Sequence, residues 1–394
     1  MAKRTFRINL IVLWIGCFIT NLGNSMTMPF LPLFFRQLDP VNTKTLTLLS
    51  GIAFSITFLA KAIVSPFWGR LSDKKGRKLM CIRASGVMAL TITTIGFAGS
   101  IWQVIVLRAI QGAFSGYINN ATALLAGITS EDHRGHALGL LATGSVSGTL
   151  VGPLIGGVIA EFWGYRLSFY IIGFCMFAIT ILTLIFVKEN FHANTSSKQL
   201  GILQTIKSIP HPKYILAMMI TIMFIQVAVT TITPIISLIV GHMMTSSSGV
   251  SLMSGIVAAA PGIATLIVAE RFGRLIDHVG PYKVLVFGLI FAMICFIPMG
   301  FARSVWLLAF LRFLVGISDA ALLPSVQTAM AQVPKEIYGR VFSYSQSFEA
   351  SGDIVGPMLG SFFANQFGYS SIFFAAAAVM LLNFVIVRAN RRQA

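Results

Sequence analysis

Apolar residues run through this chain in long blocks, without the period-two alternation of strands or the narrow stripe of a soluble amphipathic helix. Twelve blocks can be marked out with ragged ends: 8–35, 46–69, 79–100, 102–125, 137–160, 167–187, 214–240, 250–272, 282–302, 305–329, 340–364 and 370–388. Each is near the roughly 20 residues that a helix needs to cross the hydrocarbon core of a bilayer. The pattern predicts an all-α integral membrane protein of twelve spans. Several gaps between blocks are only a few residues long, so no soluble domain is attached.

Composition agrees. Of the 394 residues 56% are hydrophobic and only 10% charged, where a soluble chain carries about 25% charged residues. The net charge of +17 suggests a nucleic-acid partner until the charges are mapped. With the N-terminus placed in the cytoplasm and sides alternating, cytoplasmic segments hold 22 of the 29 Lys and Arg. External segments hold Arg36, Lys44, Arg166 and Arg303, and three lie inside spans: Lys61, Arg108 and Arg312. This is the positive-inside bias of membrane proteins. It accounts for the charge without nucleic acid and predicts that both termini are cytoplasmic. Lys3, Arg4 and Arg7 precede the first block like a signal peptide, but that block is too long and ends in no small-residue cleavage site. It reads as a retained first span. Cys17, Cys81, Cys175 and Cys295 show no metal or redox spacing and read as packing residues.

The chain repeats itself at an offset of 204. "GRLSDKKG" at 69–76 returns as "GRLIDHVG" at 273–280, and Trp102, Arg108 and Gly112 return as Trp306, Arg312 and Gly316. Gly148, Gly152, Pro153 and Gly156 return as Gly352, Gly356, Pro357 and Gly360. Two halves of six spans are predicted, 1–190 and 214–394, joined by a cytoplasmic linker at 191–213. An even number of spans per half keeps the copies parallel, with substrate and ion sites near the midplane where the halves meet.

On these residues the chain resembles the major facilitator superfamily. "GRLSDKKGRK" at 69–78 is similar to its motif A, "LRAIQG" at 107–112 to motif B, and "GSVSGTLVGPLIGG" at 144–157 to motif C of the twelve-helix drug:proton antiporters. The resemblance covers the whole chain, and "SGIAFSITFLAKAIVSPFWGRLSDKKGRK" at 50–78, "NNATALLA" at 119–126 and "LRFLVGISDAALLPSVQ" at 311–327 look most like the MdtG-type bacterial multidrug efflux proteins. The resemblance implies proton-coupled efflux of amphiphilic drugs across a bacterial cytoplasmic (inner) membrane by a monomer. Its partners would be the small amphiphilic substrate, protons and the bilayer. It would need no cofactor beyond the proton gradient, and no metal. A dedicated exporter of one metabolite, such as a siderophore, sugar or lipid precursor, remains the alternative on the same fold. An enzyme is disfavoured, since no G-x-S-x-G, H-E-x-x-H or Walker A motif is present.

The resemblance also implies roles. Asp73 would latch to the N-terminus of the eleventh span, with Arg77 and Lys78 in the same charged loop, while Gly69 and Gly76 allow close approach and a tight turn. Asp277 repeats Asp73 as a weaker latch. Gly144, Gly148, Gly152 and Gly156 fall four apart and form one side-chain-free stripe, with Gly157 beside it and Pro153 within it. Such stripes let membrane helices meet backbone to backbone. In the second half Phe348 replaces the first glycine.

Ionisable groups at membrane depth are functional candidates, and the repeat filters them. Arg108 and Arg312 match each other and belong to the candidate proton-coupling set, in which the resemblance to motif B implies that Arg108 tunes the pKa of the carrier acid or stabilises its charged form. Asp319, Glu349 and Asp353 answer to Ser115, Ser145 and Thr149, so the scaffold does without them in the first half. These acids are the candidate proton carriers, Asp319 first, because a poorly solvated carboxyl holds its proton more tightly. Permanent pairing of the acids, with Lys61 as a possible partner, is the competing reading. The first span lacks an acid, which weakens any preference for cationic cargo. Asn24, Tyr117, Asn119, Asn120, Gln226, Gln327 and Phe348 are the candidate cavity residues.

Overall fold

The computed structural model describes residues 3–189, 211–246, 248–331, 333 and 335–390. Most of the expected linker, 191–210, lies outside them. The described residues are helical: α1 (Lys3–Thr27), α2 (Leu31–Leu38), α3 (Thr43–Lys75), α4 (Arg77–Gly96), α5 (Ile101–Phe114), α6 (Tyr117–Ile128), α7 (Glu131–Trp163), α8 (Tyr165–Phe186), α9 (Pro212–Ile232), α10 (Ile236–Met243), α11 (Val250–Val279), α12 (Pro281–Met299), α13 (Val305–Met330), α14 (Lys335–Phe367) and α15 (Ser370–Ala389). Ten helices or helix pairs among the described residues are long and apolar enough to cross a membrane. Large apolar side chains such as Ile63, Phe97 and Phe174 stand more than two-thirds exposed, as suits helices whose outer solvent is lipid.

Three expected spans are interrupted. The first bends through a 3₁₀ turn at Met28–Phe30 and the seventh through one at Thr233–Ile235, each with a proline, Pro29 or Pro234, that removes a backbone donor. The fourth, expected as one helix over 102–125, is broken between α5 and α6. Gly116 there takes φ +117°, a left-handed conformation that only glycine adopts cheaply. In the second half Ala320 stands at the matching position, and α13 runs through it unbroken.

The chain forms two compact units. The first comprises residues 1–42, 56–197 and 248–255, and the second 43–55, 198–247 and 256–394. Helices α3 and α11 each contribute to both. In the first unit α1 packs on α7 and α4 on α8; in the second α9 packs on α14 and α12 on α13.

Candidate functional site

The glycine stripe of α7 is a seam with α1. A Cβ at Gly144 would stand 2.8 Å from the Trp14 carbonyl oxygen, and one at Gly148 or Gly152 would stand 2.9 Å from the Leu22 or Met26 nitrogen. At Gly156 it would strike the Met26 carbonyl. The Ser25 hydroxyl donates across the seam to the Gly148 carbonyl (3.1 Å), and the Asn21 amide to that of Ser145 (3.1 Å). The second unit repeats this with Gly352, Gly356 and Gly360 against α9, where Thr230 donates to the Gly352 carbonyl (3.2 Å). Phe348, half-buried, takes the place of a fourth glycine. Gly157 faces another way, onto Ser251 and Gly255 of the first turns of α11, and the carbonyl of Pro153 lies against Gly255.

In the motif A loop Gly76 takes φ +91° and Gly280, its repeat, +92°, so each turn needs its glycine. Arg77 pairs with Asp73 at 3.3 Å, both solvent-accessible. Asp277 is exposed. The close approach expected at Gly69 is absent, since nothing lies within 4 Å of where its side chain would be. The loop is held instead by a residue the sequence reading passed over. Glu189, just after α8, accepts from the Arg77 N–H (2.9 Å) and the Lys78 N–H (2.8 Å). Lys78 in turn donates its ammonium to the Leu184 carbonyl (2.8 Å). A carboxylate on the first N–H groups of α4 satisfies groups that the helix leaves unpaired and meets the positive end of its dipole.

Arg108 is 3% exposed and donates to the Gln111 side-chain oxygen (3.1 Å), and its other terminal nitrogen rests on the Met28 sulfur. Gln111 passes a weaker bond to Asn24 at 3.5 Å. The motif "LRAIQG" thus places its glutamine as well as its arginine in one buried polar chain, legible from the i, i+3 spacing. In the second unit Arg312 is buried, and its Nε has no hydrogen-bond partner among the described residues. Asp319 lies on the same helix with its Oδ1 shut off from solvent and, among the described residues, without a hydrogen-bond partner. Glu349 and Asp353 are half-buried on α14, and Gln226 of α9 donates to Asp353 at 2.7 Å. A residue expected in the cavity and one expected to carry protons therefore meet.

Tyr117 is not a cavity residue. It is fully buried in the core of the first unit, its hydroxyl paired with Thr183 at 3.1 Å and its ring filling the space left by Gly16. The break before α6 turns that first residue inward. Asn120 is engaged locally, donating to the Gly116 carbonyl (2.8 Å) and accepting from Ser72 (3.1 Å). Asn119 and Gln327 are exposed. The break has its own supports. Trp68 donates its indole N–H to the Ala113 carbonyl (2.7 Å), and Arg83 donates to those of Phe114 (3.3 Å) and Ser115 (3.0 Å) while stacking 3.6 Å over the Trp68 ring. At the repeat offset these two residues are Phe272 and Phe287, and there the helix is unbroken.

This helical pattern matches known proteins. The family model described as Major Facilitator Superfamily matches residues 13–272 and 218–393. The structure of a bacterial homologue of the human lysosomal transporter Spinster superposes with a TM-score of 0.85 at 12% identity, covering 100% of this chain and 98% of that one. The nucleoside transporter NupG gives 0.80 at 12% identity, covering 97% and 99%. These likenesses show the fold. A multidrug resistance protein MdtG from Proteus mirabilis (strain HI4320) is 43% identical over 384 residues, 97% of this chain and 96% of the relative. One from Salmonella arizonae is 42% identical over 378 residues, 96% and 94%. With both halves matched and the identity running nearly end to end, the chain belongs to the major facilitator superfamily and, within it, to the family of the MdtG multidrug resistance proteins.

Proposed function

We propose that the chain is a secondary transporter that exports amphiphilic drugs or similar toxic small molecules across the bacterial cytoplasmic membrane in exchange for protons. Kinship with multidrug resistance proteins supports the cargo class. The observation that carries the coupling is the Asp319 carboxyl, whose Oδ1 is sealed from solvent and unpartnered within a membrane helix. An ionisable side chain enclosed in a membrane helix is a functional candidate by default. The first half lacks it, having Ser115 at the same place. Glu349 and Asp353 would be secondary relays, with Arg108 and Arg312 tuning the charge balance of their own units.

In this reading α5 with α6, and the more polar α14, complete twelve spans, with both termini in the cytoplasm. Halves 1–190 and 214–394 flank the linker, and a monomer suffices because each chain holds both halves. Asp73 and Asp277 serve as cytoplasmic latches and the α7 seam as a barrier to leak. No cofactor or metal takes part, and the chain performs no enzymatic chemistry.

The test uses inverted membrane vesicles with an acid interior and a pH-sensitive dye. Addition of amphiphilic drugs should release protons in wild type and not in Asp319→Asn at equal abundance. Release by both would move the proton to Glu349 or Asp353. Silence of the wild type across the panel would favour the single-metabolite exporter.

A further inference from the structure

Helix α11 begins at Val250, directly after Gly249 at φ +83°. Its first N–H groups meet a carboxylate. Glu161, near the end of α7, accepts from the Gly249 N–H at 2.6 Å with one carboxylate oxygen and from the Ser251 N–H at 3.2 Å with the other. The Tyr165 hydroxyl, on α8, pairs with that of Ser251 at 3.1 Å. Beneath these bonds Gly157 and Gly255 meet with no side chain between them, and Gly255 lies on the Pro153 carbonyl.

The chemistry divides into two parts. The glycine contacts are smooth and non-directional, so they can part and re-form without interlocked side chains. The carboxylate bonds are directional and charge-assisted, and they sit on the positive end of a helix dipole. They are the specific term in this contact. The repeat shows that the scaffold does not require them: Asn365 stands where Glu161 would recur, and Thr45 and Thr47 where Gly249 and Ser251 would. Residues 248–255 belong to the first unit and α11 from Ile256 onward to the second, so the carboxylate grips the helix just before it passes from one to the other.

We propose that Glu161 is a positioning residue of the transport cycle, a releasable clasp on the first turn of α11. It holds that turn against α7 and α8 in the state seen here and lets go when α11 changes position. The inference rests on the transport cycle and on the orientation proposed above, which puts Glu161 on the external side.

Ser254 tests it. It lies one turn beyond the clasp, is fully buried, and its hydroxyl donates to the Val250 carbonyl of its own helix (2.6 Å), so Ser254→Cys is a mild probe. The full chain carrying Ser254→Cys is treated with a membrane-impermeant maleimide in intact cells and in inverted vesicles, with the parent protein as background. Glu161→Ala should speed labelling from the outside about tenfold, the loss expected for charge-assisted bonds. Glu161→Gln should give an intermediate rate, and Glu161→Asp should restore most of the protection. Thermal midpoints in detergent separate release of the clasp from general unfolding. If Glu161→Ala does not accumulate, Glu161→Gln and Tyr165→Phe carry the same comparison. Equal labelling rates in all variants overturn the clasp. Faster labelling only in inverted vesicles keeps the clasp and overturns the orientation. The readout needs no transported cargo, so an error in the proposed substrate class leaves it intact.

Discussion

Replacing Gly148 with alanine tests whether the α7 seam is as tight as its geometry states. The new Cβ would stand 2.9 Å from the Leu22 nitrogen and closer still to the Phe18 carbonyl oxygen, where ordinary contact begins at 3.4 Å. Both atoms are backbone, so no side chain can swing away. Helix α1 must retreat by at least half an ångström, breaking the Ser25 bond to the Gly148 carbonyl in the process. Overpacking of this kind costs about 1–3 kcal/mol. Against it stands the gain in helix propensity from glycine to alanine, at most about 1 kcal/mol. Gly139→Ala, on the same helix, gains the same propensity and meets nothing within 4 Å. The two substitutions should therefore shift thermal stability in opposite directions, Gly148→Ala down and Gly139→Ala level or up. At about 2–4 °C per kcal/mol the gap is measurable by thermal melting of the detergent-solubilised protein. Equal midpoints for the two variants would refute the seam.

Three further outcomes follow from other contacts. Arg83→Leu leaves the Phe114 and Ser115 carbonyls unpaired at the broken helix and should cost about 1–3 kcal/mol in a thermal melt, whereas Trp68→Phe, losing one donor, should cost about 1 kcal/mol. Glu189→Gln removes the charge from the cap on α4 and should lower stability by about 1 kcal/mol, with no change in drug recognition measured by competition. Gln226→Leu removes one donor to Asp353 and should slow proton-coupled efflux in vesicles, while Asp353→Asn, which retains an acceptor for Gln226, should fold normally.

Much of this protein was legible in its sequence because the relevant energies are local or periodic. Transfer of apolar side chains into lipid adds residue by residue, so the long blocks located the helices, while the polar ends that extend beyond the lipid, such as 273–279 of α11, were missed. A repeat at one offset exposed the duplication, and a four-residue glycine period foretold a bare helix face before its partner was known. That the partner is α1, carbonyl for carbonyl, took the structure. The missed features share one cause. Gly116 sits in an apolar run like many tolerated glycines; what breaks the helix there is a supply of donors from Trp68 and Arg83, 31 to 45 residues earlier in the chain. Tyr117 looked like a cavity aromatic until that break turned it into the core. Glu161 and Glu189 drew no reading from the sequence, because an acid at a helix end is indistinguishable there from an acid that caps another helix. Which backbone N–H a carboxylate meets depends on how distant segments cross, and that is a property of the tertiary fold alone.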